Sequence, residues 1–448
     1  MHRFLAALTL TLLVGCTLVQ QPAPQEATPQ TTVAPQSEEQ MTQQTPTPPS
    51  TEVDEAFIEE NGEPGPLTLT VWIVRDLLPP AESGEDTALI EELAEFEASM
   101  PDVQVEVFIK RVDGAGGTLD YLRTAPDVAP TVLPDLVLLT REALVRASTE
   151  GLIVPLGEAA GPEIDAAFYD VAEDLVTVNG QIVGVPYVLS TQHSVYRTTV
   201  FTEEVPNSFE ALLEERENPV VYTFPAGPVT GVSRPLLEQY LAAGGQLFND
   251  EGGTVLTGEA LEEVLTFYSE AREVEAIDPV VFQFATPAET WERYTTGQSA
   301  LATVTSTTYL REREEVRSTG LTWTPTPDGT PAPLVEGLAW GLTTGSPDRQ
   351  EAALMLLNFL LDPVNHGEFT QQIGWLPSQP AALSVWGDDD PYRDFGDLIL
   401  NNASLLPDSA DRQDVAAAIQ EALEAVLLNG ELPSQAAAQA AQRINGAE

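Results

Sequence analysis

This chain of 448 residues holds one cysteine and three histidines, and lysine occurs only at Lys110. With Cys16 as the lone thiol, no disulfide can form within the chain, so stability must come from burial. The histidines, His2, His193 and His366, are too scattered for a histidine-rich metal site. Basic residues number 19 against 70 acidic ones, a formal charge of −51. Such a balance repels nucleic acid and disfavours adsorption to anionic lipid. No G-x-S-x-G elbow, P-loop or G-x-G-x-x-G occurs. Every enzyme reading is weakened, although a glycosidase stays open because any two carboxylates can pose as its acid and base. Asp388-Asp389-Asp390 lacks EF-hand spacing and reads as a solvated acidic loop. No metal and no cofactor is expected. Beyond the N-terminus no run of apolar residues is long enough to span a bilayer.

Met1-His2-Arg3 precedes an apolar stretch, residues 4–14, of signal-peptide length. Leu13-Val14-Gly15-Cys16 resembles the lipobox of bacterial lipoproteins. The resemblance implies a signal peptide over residues 1–15, cleavage before Cys16, lipidation of Cys16 and attachment to the outer face of a membrane or in the periplasm. Residues 16–66 are dominated by Gln, Thr, Pro, Glu and Ser, which cannot bury enough apolar surface to offset ordering entropy. They are expected to form a disordered tether.

Leu67-Thr68-Leu69-Thr70-Val71-Trp72-Ile73-Val74 reads as a strand, and Leu89, Ile90, Leu93 and Phe96 recur at helical spacing. Alternating Val103, Val105, Val107 and Ile109 give a second strand, and Leu136-Val137-Leu138-Leu139 a third, buried one. Strand, helix, strand, helix, strand predicts an α/β lobe around a parallel sheet. Residues 207–218 and 258–274 read as helices, with residues 219–224 as a strand between them. Ser346-Pro347-Asp348 is a strong helix start, with an N-cap serine, proline at the first position and an acid against the dipole. The helix it begins is expected to stop at Asp362-Pro363. Val415, Ile419, Ala422 and Val426 mark a C-terminal helix. The ordered part exceeds the ~250–300 residues at which one core stops growing, so two lobes are expected.

Several motifs occur in order along residues 67–448: Leu69-Thr70-Val71-Trp72, Pro134-Asp135-Leu136-Val137, Gly151-Leu152-Ile153-Val154-Pro155-Leu156, Gly180-Gln181-Ile182-Val183-Gly184-Val185-Pro186-Tyr187, Gly297-Gln298-Ser299-Ala300-Leu301, Glu336-Gly337-Leu338-Ala339-Trp340 and Gly374-Trp375-Leu376-Pro377-Ser378. Together they resemble the family 1 extracellular solute-binding proteins, the sugar-type, maltose-binding-protein-like receptors of bacterial ABC importers. That resemblance implies a two-lobed α/β fold of the type II periplasmic-binding-protein kind, with a ligand cleft between lobes joined by crossover hinges. Lobe 1 is expected over residues 67–189 and 337–375, lobe 2 over residues 190–336 and 376–448, and the crossovers near residues 188–192, 334–337 and 374–378. The implied partners are a small-molecule ligand, carbohydrate by preference, and a membrane ABC permease, with a monomer as the working unit.

Sugars present apolar ring faces and a girdle of hydroxyls, so aromatic platforms, carboxylates, amides and arginine are the groups to seek. Trp72 and Asp76 follow the first strand, where open α/β sheets place their ligands, although Trp72 reads equally well as core. Thr140, Arg141 and Glu142 follow the third strand. Ser190, Thr191 and Gln192 fall in the first crossover. Tyr222 and Phe224 match a stacking pair of the family or, alternatively, a core face. Ser306 and Tyr309 stand where maltose-type members carry a stacking Trp, which this chain lacks. Glu336 and Trp375 flank the other crossovers, with Trp375 also able to pack the hinge. Competing readings are a receptor for a cationic solute such as a polyamine, a two-lobed ligand sensor and a surface-anchored carbohydrate-active enzyme.

Overall fold

The computed structural model describes residues 66–78, 87–112, 114, 116–128, 133–203, 205–214, 222–227, 232–249, 251–407 and 409–446, all within one unit, residues 63–448. The signal peptide, Cys16 and the tether as far as residue 65 lie outside the described residues.

Twelve strands are present among the described residues: β1 Leu67–Val74, β2 Val103–Lys110, β3 Leu136–Thr140, β4 Thr177–Val178, β5 Gln181–Ile182, β6 Val185–Arg197, β7 Tyr222–Thr223, β8 Leu301–Thr305, β9 Thr319–Thr322, β10 Leu334–Leu342, β11 Leu376–Pro377 and β12 Ser404–Leu405. Ten form one sheet with the main order β2-β1-β3-β10-β6-β8-β7. The expected parallel sheet exists only in part. β2, β1 and β3 are parallel, whereas β10 runs antiparallel to β3 and to β6. The cause is that β10 returns from the second lobe into the first.

β6 is the longest strand and serves both lobes. Its first half, Val185 to Thr191, pairs with β10, and its second half, Gln192 to Tyr196, pairs with β8. On its other edge Leu189 and Val188 pair with Leu376 and Pro377 of β11. The three expected crossover segments therefore lie side by side in one layer. Gly337 is required by that closeness, because a Cβ there would stand 2.6 Å from the Val188 carbonyl oxygen. Gly374, in the left-handed region at φ 73°, ends the helix Pro363–Ile373 and turns the chain into β11.

Three buried clusters fill the fold. In the first lobe, β1, β3 and the helices Thr87–Ser99, Pro347–Leu360 and Pro363–Ile373 enclose Leu69, Phe96, Leu138, Trp340 and Leu356. In the second lobe, the helices Arg234–Ala242, Gly258–Glu273, Ser409–Asn429 and Pro433–Asn445 enclose Leu261, Tyr268, Ile419 and Leu423. A third cluster spans the seam and joins Trp72, Val137 and Leu189 to Val304, Tyr309 and Tyr392.

Local chemistry places most helices where expected. Pro347 begins its helix and surrenders an N–H that has no intrahelical acceptor. The Ser346 hydroxyl, expected as a cap, makes no capping bond. Asp362 does more than stop that helix: its carboxylate accepts from the Val364 N–H at 3.0 Å and so starts the next one. In the helix Thr87–Ser99, Leu89, Leu93 and Phe96 face inward, but Ile90 is 62% exposed and Glu92 is buried instead. Burial and the neighbouring charge of Glu95 push the Glu92 carboxyl well above its ordinary range. Of residues 207–218, only Phe209–Leu213 is helical among the described residues. The Pro-Asp motif is structural. Asp135 is buried, accepts from the Thr70 N–H at 2.8 Å and is gripped by both arms of Arg349.

Candidate functional site

Two adjoining cavities open where the crossing strands meet. The first, about 340 Å³, is lined by Asp76, Thr140, Arg141 and Glu142 from the carboxyl ends of β1 and β3, by Glu336 and Gly337 of β10, by Trp375 and by the loop Leu405, Leu406 and Pro407. The second, about 180 Å³, is lined by Gln192 at the handover in β6, by Ser233 and Arg234 at a helix start, and by Pro225 and Pro287. Glu336 and Leu406 line both, so the cavities are two ends of one cleft. A broader groove, about 870 Å³, runs along residues 155–168 and 181–186 and is lined as well by Glu173, Val176 and Leu354.

The first-lobe wall is built by local structure. Thr140 caps the helix Arg141–Thr149, its hydroxyl accepting from the Ala143 N–H at 3.3 Å. Arg141 donates from Nη1 to the carbonyls of Asp174, Leu175 and Thr177 at 2.6, 2.9 and 3.2 Å. It thereby closes the C-terminal end of the helix Asp170–Val176, where a cation also meets the negative end of the dipole. Glu142 pairs with Arg146 one turn on, at 2.5 Å. Trp375 is 9% exposed, and its indole nitrogen is buried without a partner. Arg311, from the helix Ser306–Glu312, donates to the Ile373 carbonyl at 2.8 Å. Burial lowers the pKa of its guanidinium, and the charge of Asp76 acts in the opposite sense.

On the other wall, Arg234 is buried and faces Glu336. Nη1 lies 3.4 Å from Oε1 and Nη2 lies 3.3 Å from Oε2, with the Glu336 side chain 55% exposed. One turn along, Glu238 is buried; its carboxylate accepts from the Leu334 N–H at 3.2 Å and from the Thr324 hydroxyl. Burial pushes its carboxyl up to about 7, moderated by Thr324, Arg234 and Leu334. Across both cavities three carboxylates, Asp76, Glu142 and Glu336, face two guanidiniums, Arg141 and Arg234. The cleft is close to balanced although the chain as a whole is strongly acidic.

Of the expected site residues, the structure brings together Asp76, Thr140, Arg141, Glu142, Glu336 and Trp375, with Gln192 in the adjoining cavity. The others are interior. Trp72 is 2% exposed and meets Tyr121 edge-on, beneath the Lys110 ammonium. Ser190, Thr191 and Ser306 lock the crossing. Thr191 N–H donates to Ser306 Oγ at 3.2 Å, Thr191 Oγ1 donates to the Leu334 carbonyl at 2.8 Å, and the Ser190 and Ser306 hydroxyls lie 3.3 Å apart. They are sealed at the crossing, where Ser190 and Thr191 pair with Glu336 and Val335 of β10 and Ser306 begins the helix that follows β8. Tyr222 and Phe224 are fully buried, Tyr222 bonded to Thr303 at 3.0 Å and Phe224 packed on Tyr268. Tyr309 is enclosed by His193, Trp291 and Tyr392. The acidic loop is structural: Asp390 caps the helix Pro391–Asn401 and forms a two-armed pair with Arg313 at 2.6 and 2.7 Å. Among the described residues, no group of three or more His, Cys, Asp or Glu is placed to hold a metal ion.

Sequence reasoning passed over Ser233, Arg234 and the loop Leu405 to Pro407. Ser233-Arg234-Pro235 reads as an ordinary helix start, and nothing local marks its arginine as facing a cleft. The available signal was a lone arginine before a proline, in a chain with few basic residues.

A sequence profile described as "Bacterial extracellular solute-binding protein" matches residues 93–393. Among curated proteins, none matches the sequence significantly. The fold is similar to the sugar-binding protein MalE from the phytopathogen Xanthomonas citri, with TM-score 0.66, 19% identity and coverage of 85% of this chain and 96% of that one. It is similar to the cyclic alpha-maltosyl-1,6-maltose binding protein from Arthrobacter globiformis, with TM-score 0.66, 20% identity and coverage of 85% and 99%. The GacH receptor of Streptomyces glaucescens, solved without ligand and with acarbose, gives TM-score 0.62, 16% identity and coverage of 85% and 98%. At these identities the likeness shows a two-lobed fold.

Proposed function

Because the chain belongs to the bacterial extracellular solute-binding proteins, we propose that it captures a sugar or oligosaccharide in this cleft by hinge closure and delivers it to the permease of an ABC importer. The observation that carries the reading is the position of the cleft. It lies where three crossing segments run side by side, with Glu336 and Trp375 on those segments and polar groups on both sides. A ligand that touches both walls makes its full set of contacts only when they approach, so binding shifts the population towards the closed state. Trp375, Leu405 and Leu406 offer apolar surface, while Asp76, Glu336, Gln192 and Arg234 offer directional partners, the mixture that hydroxylated rings need. The similar proteins named above bind sugars or sugar analogues by their own descriptions, which supports a carbohydrate. A cleft of near-balanced charge favours a neutral solute over a polyamine.

The first lobe comprises residues 67–189 and 337–375, and the second residues 190–336 and 376–448. The protein acts as a monomer, lipidated at Cys16 after removal of residues 1–15, on the extracellular face of the cell membrane or in the periplasm. It binds and releases its solute without turnover.

A thermal-shift screen of neutral sugars and spermidine on the full chain tests this. A true ligand at 100 times its Kd stabilises by about 2.7 kcal/mol. Stabilisation by spermidine alone, or conversion of a glycan to product, would overturn the reading. Cys16→Ser should release the protein into the medium or leave the precursor unprocessed, with sugar binding intact.

A further inference from the structure

The second-lobe end of the cleft holds polar atoms that the fold itself does not use. A serine at a helix N-cap ordinarily accepts from the first turn. Ser233 holds that position before the helix Arg234–Ala242, yet makes no capping bond, and its Oγ has no partner. Gln192 Oε1 is likewise buried without a hydrogen-bond partner, and Arg234 Nη2, although 3.3 Å from Glu336 Oε2, makes no hydrogen bond of good geometry. Ser233 is 1% exposed and Arg234 8%. Buried polar atoms are seldom left unpaired because the loss of hydration is not returned. Two such atoms and a loosely paired guanidinium on one cavity of about 180 Å³ point to a ligand that pairs them.

The Arg234–Glu336 pair indicates which kind. Its contacts, 3.3 and 3.4 Å, are longer than the roughly 2.7–2.9 Å of a tight charge-assisted bond. Arg234 is held inside while Glu336 reaches into the cleft, so a strong donor and a strong acceptor stand side by side without saturating each other. Neighbouring hydroxyls match such a pair: one accepts from Arg234 and the next donates to Glu336. An anionic solute would be repelled by Glu336, and a cationic one would meet Arg234, which is too buried to swing into water.

We infer that Arg234 and Glu336, with Gln192 and Ser233, form a charge-balanced subsite that selects an uncharged vicinal diol and rejects both carboxylated and amino solutes. This rests on the sugar reading above and adds to it the residues that impose neutrality, the exclusion of carboxylated solutes and the diol they select.

The test is calorimetric titration of the full chain, wild type and two variants, against common neutral di- and trisaccharides with matched uronates and amino sugars. The wild type should bind a neutral sugar and neither charged counterpart. Arg234→Met should weaken neutral-sugar binding about tenfold or more and admit the amino sugar. Glu336→Gln should admit the uronate, since Arg234 then lacks its counter-charge. The inference alone is overturned if the wild type binds a neutral sugar but both variants match it within twofold with unchanged charge preference, or if the wild type prefers a charged sugar. If no sugar binds at all, the sugar reading and this inference fall together. Glu336 is half-exposed and its neutral variant should fold, so a misfolded Arg234→Met does not remove the test.

Discussion

The two walls of the cleft use the same kinds of residue for different ends. On the first-lobe wall, Thr140 caps a helix, Arg141 closes another and Glu142 pairs along its own helix. On the second-lobe wall, Gln192 Oε1 and Ser233 Oγ have no partner and Arg234 holds Glu336 only loosely, while on the first wall the Trp375 indole nitrogen is also unpaired. A side chain already committed to three carbonyls has little left for a ligand, whereas an unpaired buried donor or acceptor gains most from one. On the proposed reading the first wall supplies more of the shape and rigidity, and the second more of the polar recognition.

Glu238, behind Arg234, gives the largest expected effect. The folded chain keeps its proton up to about 7, against an ordinary value of 4.5. Stability from this group is complete below about 4.5 and is lost as pH rises through 7, by up to about 3 kcal/mol. His193 and His366, whose pKa values burial lowers to about 4, act in the opposite sense, losing stability as pH falls from 6.5 through 4. Urea denaturation at pH 5 and pH 8 separates the two, because the difference between wild type and Glu238→Gln cancels the histidines. That difference should grow against the wild type at pH 8, and a constant difference contradicts the assignment.

Arg141→Met comes next. Three carbonyls lose their donor, which should cost about 2 kcal/mol by chemical denaturation, with a smaller proportional loss of sugar affinity than Arg234→Met. Reversed sensitivities would break the contrast between the walls. Asp76→Ala should weaken sugar binding by about 1 kcal/mol, roughly fivefold, without altering the fold. Unchanged affinity in titration removes Asp76 from the site. Glu142→Gln should change stability by no more than about 0.5 kcal/mol, since its partner lies on an exposed helix face.

Much of the fold was legible because its signals are local. Alternating valines set β2, Pro347 starts a helix, and the apolar run from Leu136 makes a buried strand. The crossover segments could be named, but not their contact with one another, because the pairing of Leu189 with both Gly337 and Leu376 joins segments far apart in sequence. The cavity positions of Asp76 and Thr140 at strand ends were readable from strand topology together with the family resemblance. Tyr222, Phe224 and Tyr309 were misplaced since an aromatic residue on a strand or short helix suits a core as well as a platform, and only tertiary packing decides. Ile90 and Glu92 exchanged places for the same reason: two residues apart, they point to nearly opposite faces of the helix, and packing sets which face is inside.

The central claim is that both walls close on a sugar. With Cys16 as the only native thiol, spin labels can be placed cleanly at Glu106→Cys on β2 and Glu262→Cys in the helix Gly258–Glu273, in a Cys16→Ser background. Pulsed electron resonance then reads the distance between the lobes. Addition of a neutral oligosaccharide that raises Tm should shorten that distance, and Arg234→Met should need at least about tenfold more sugar for the same change. An unaltered distance at saturating sugar would contradict the account.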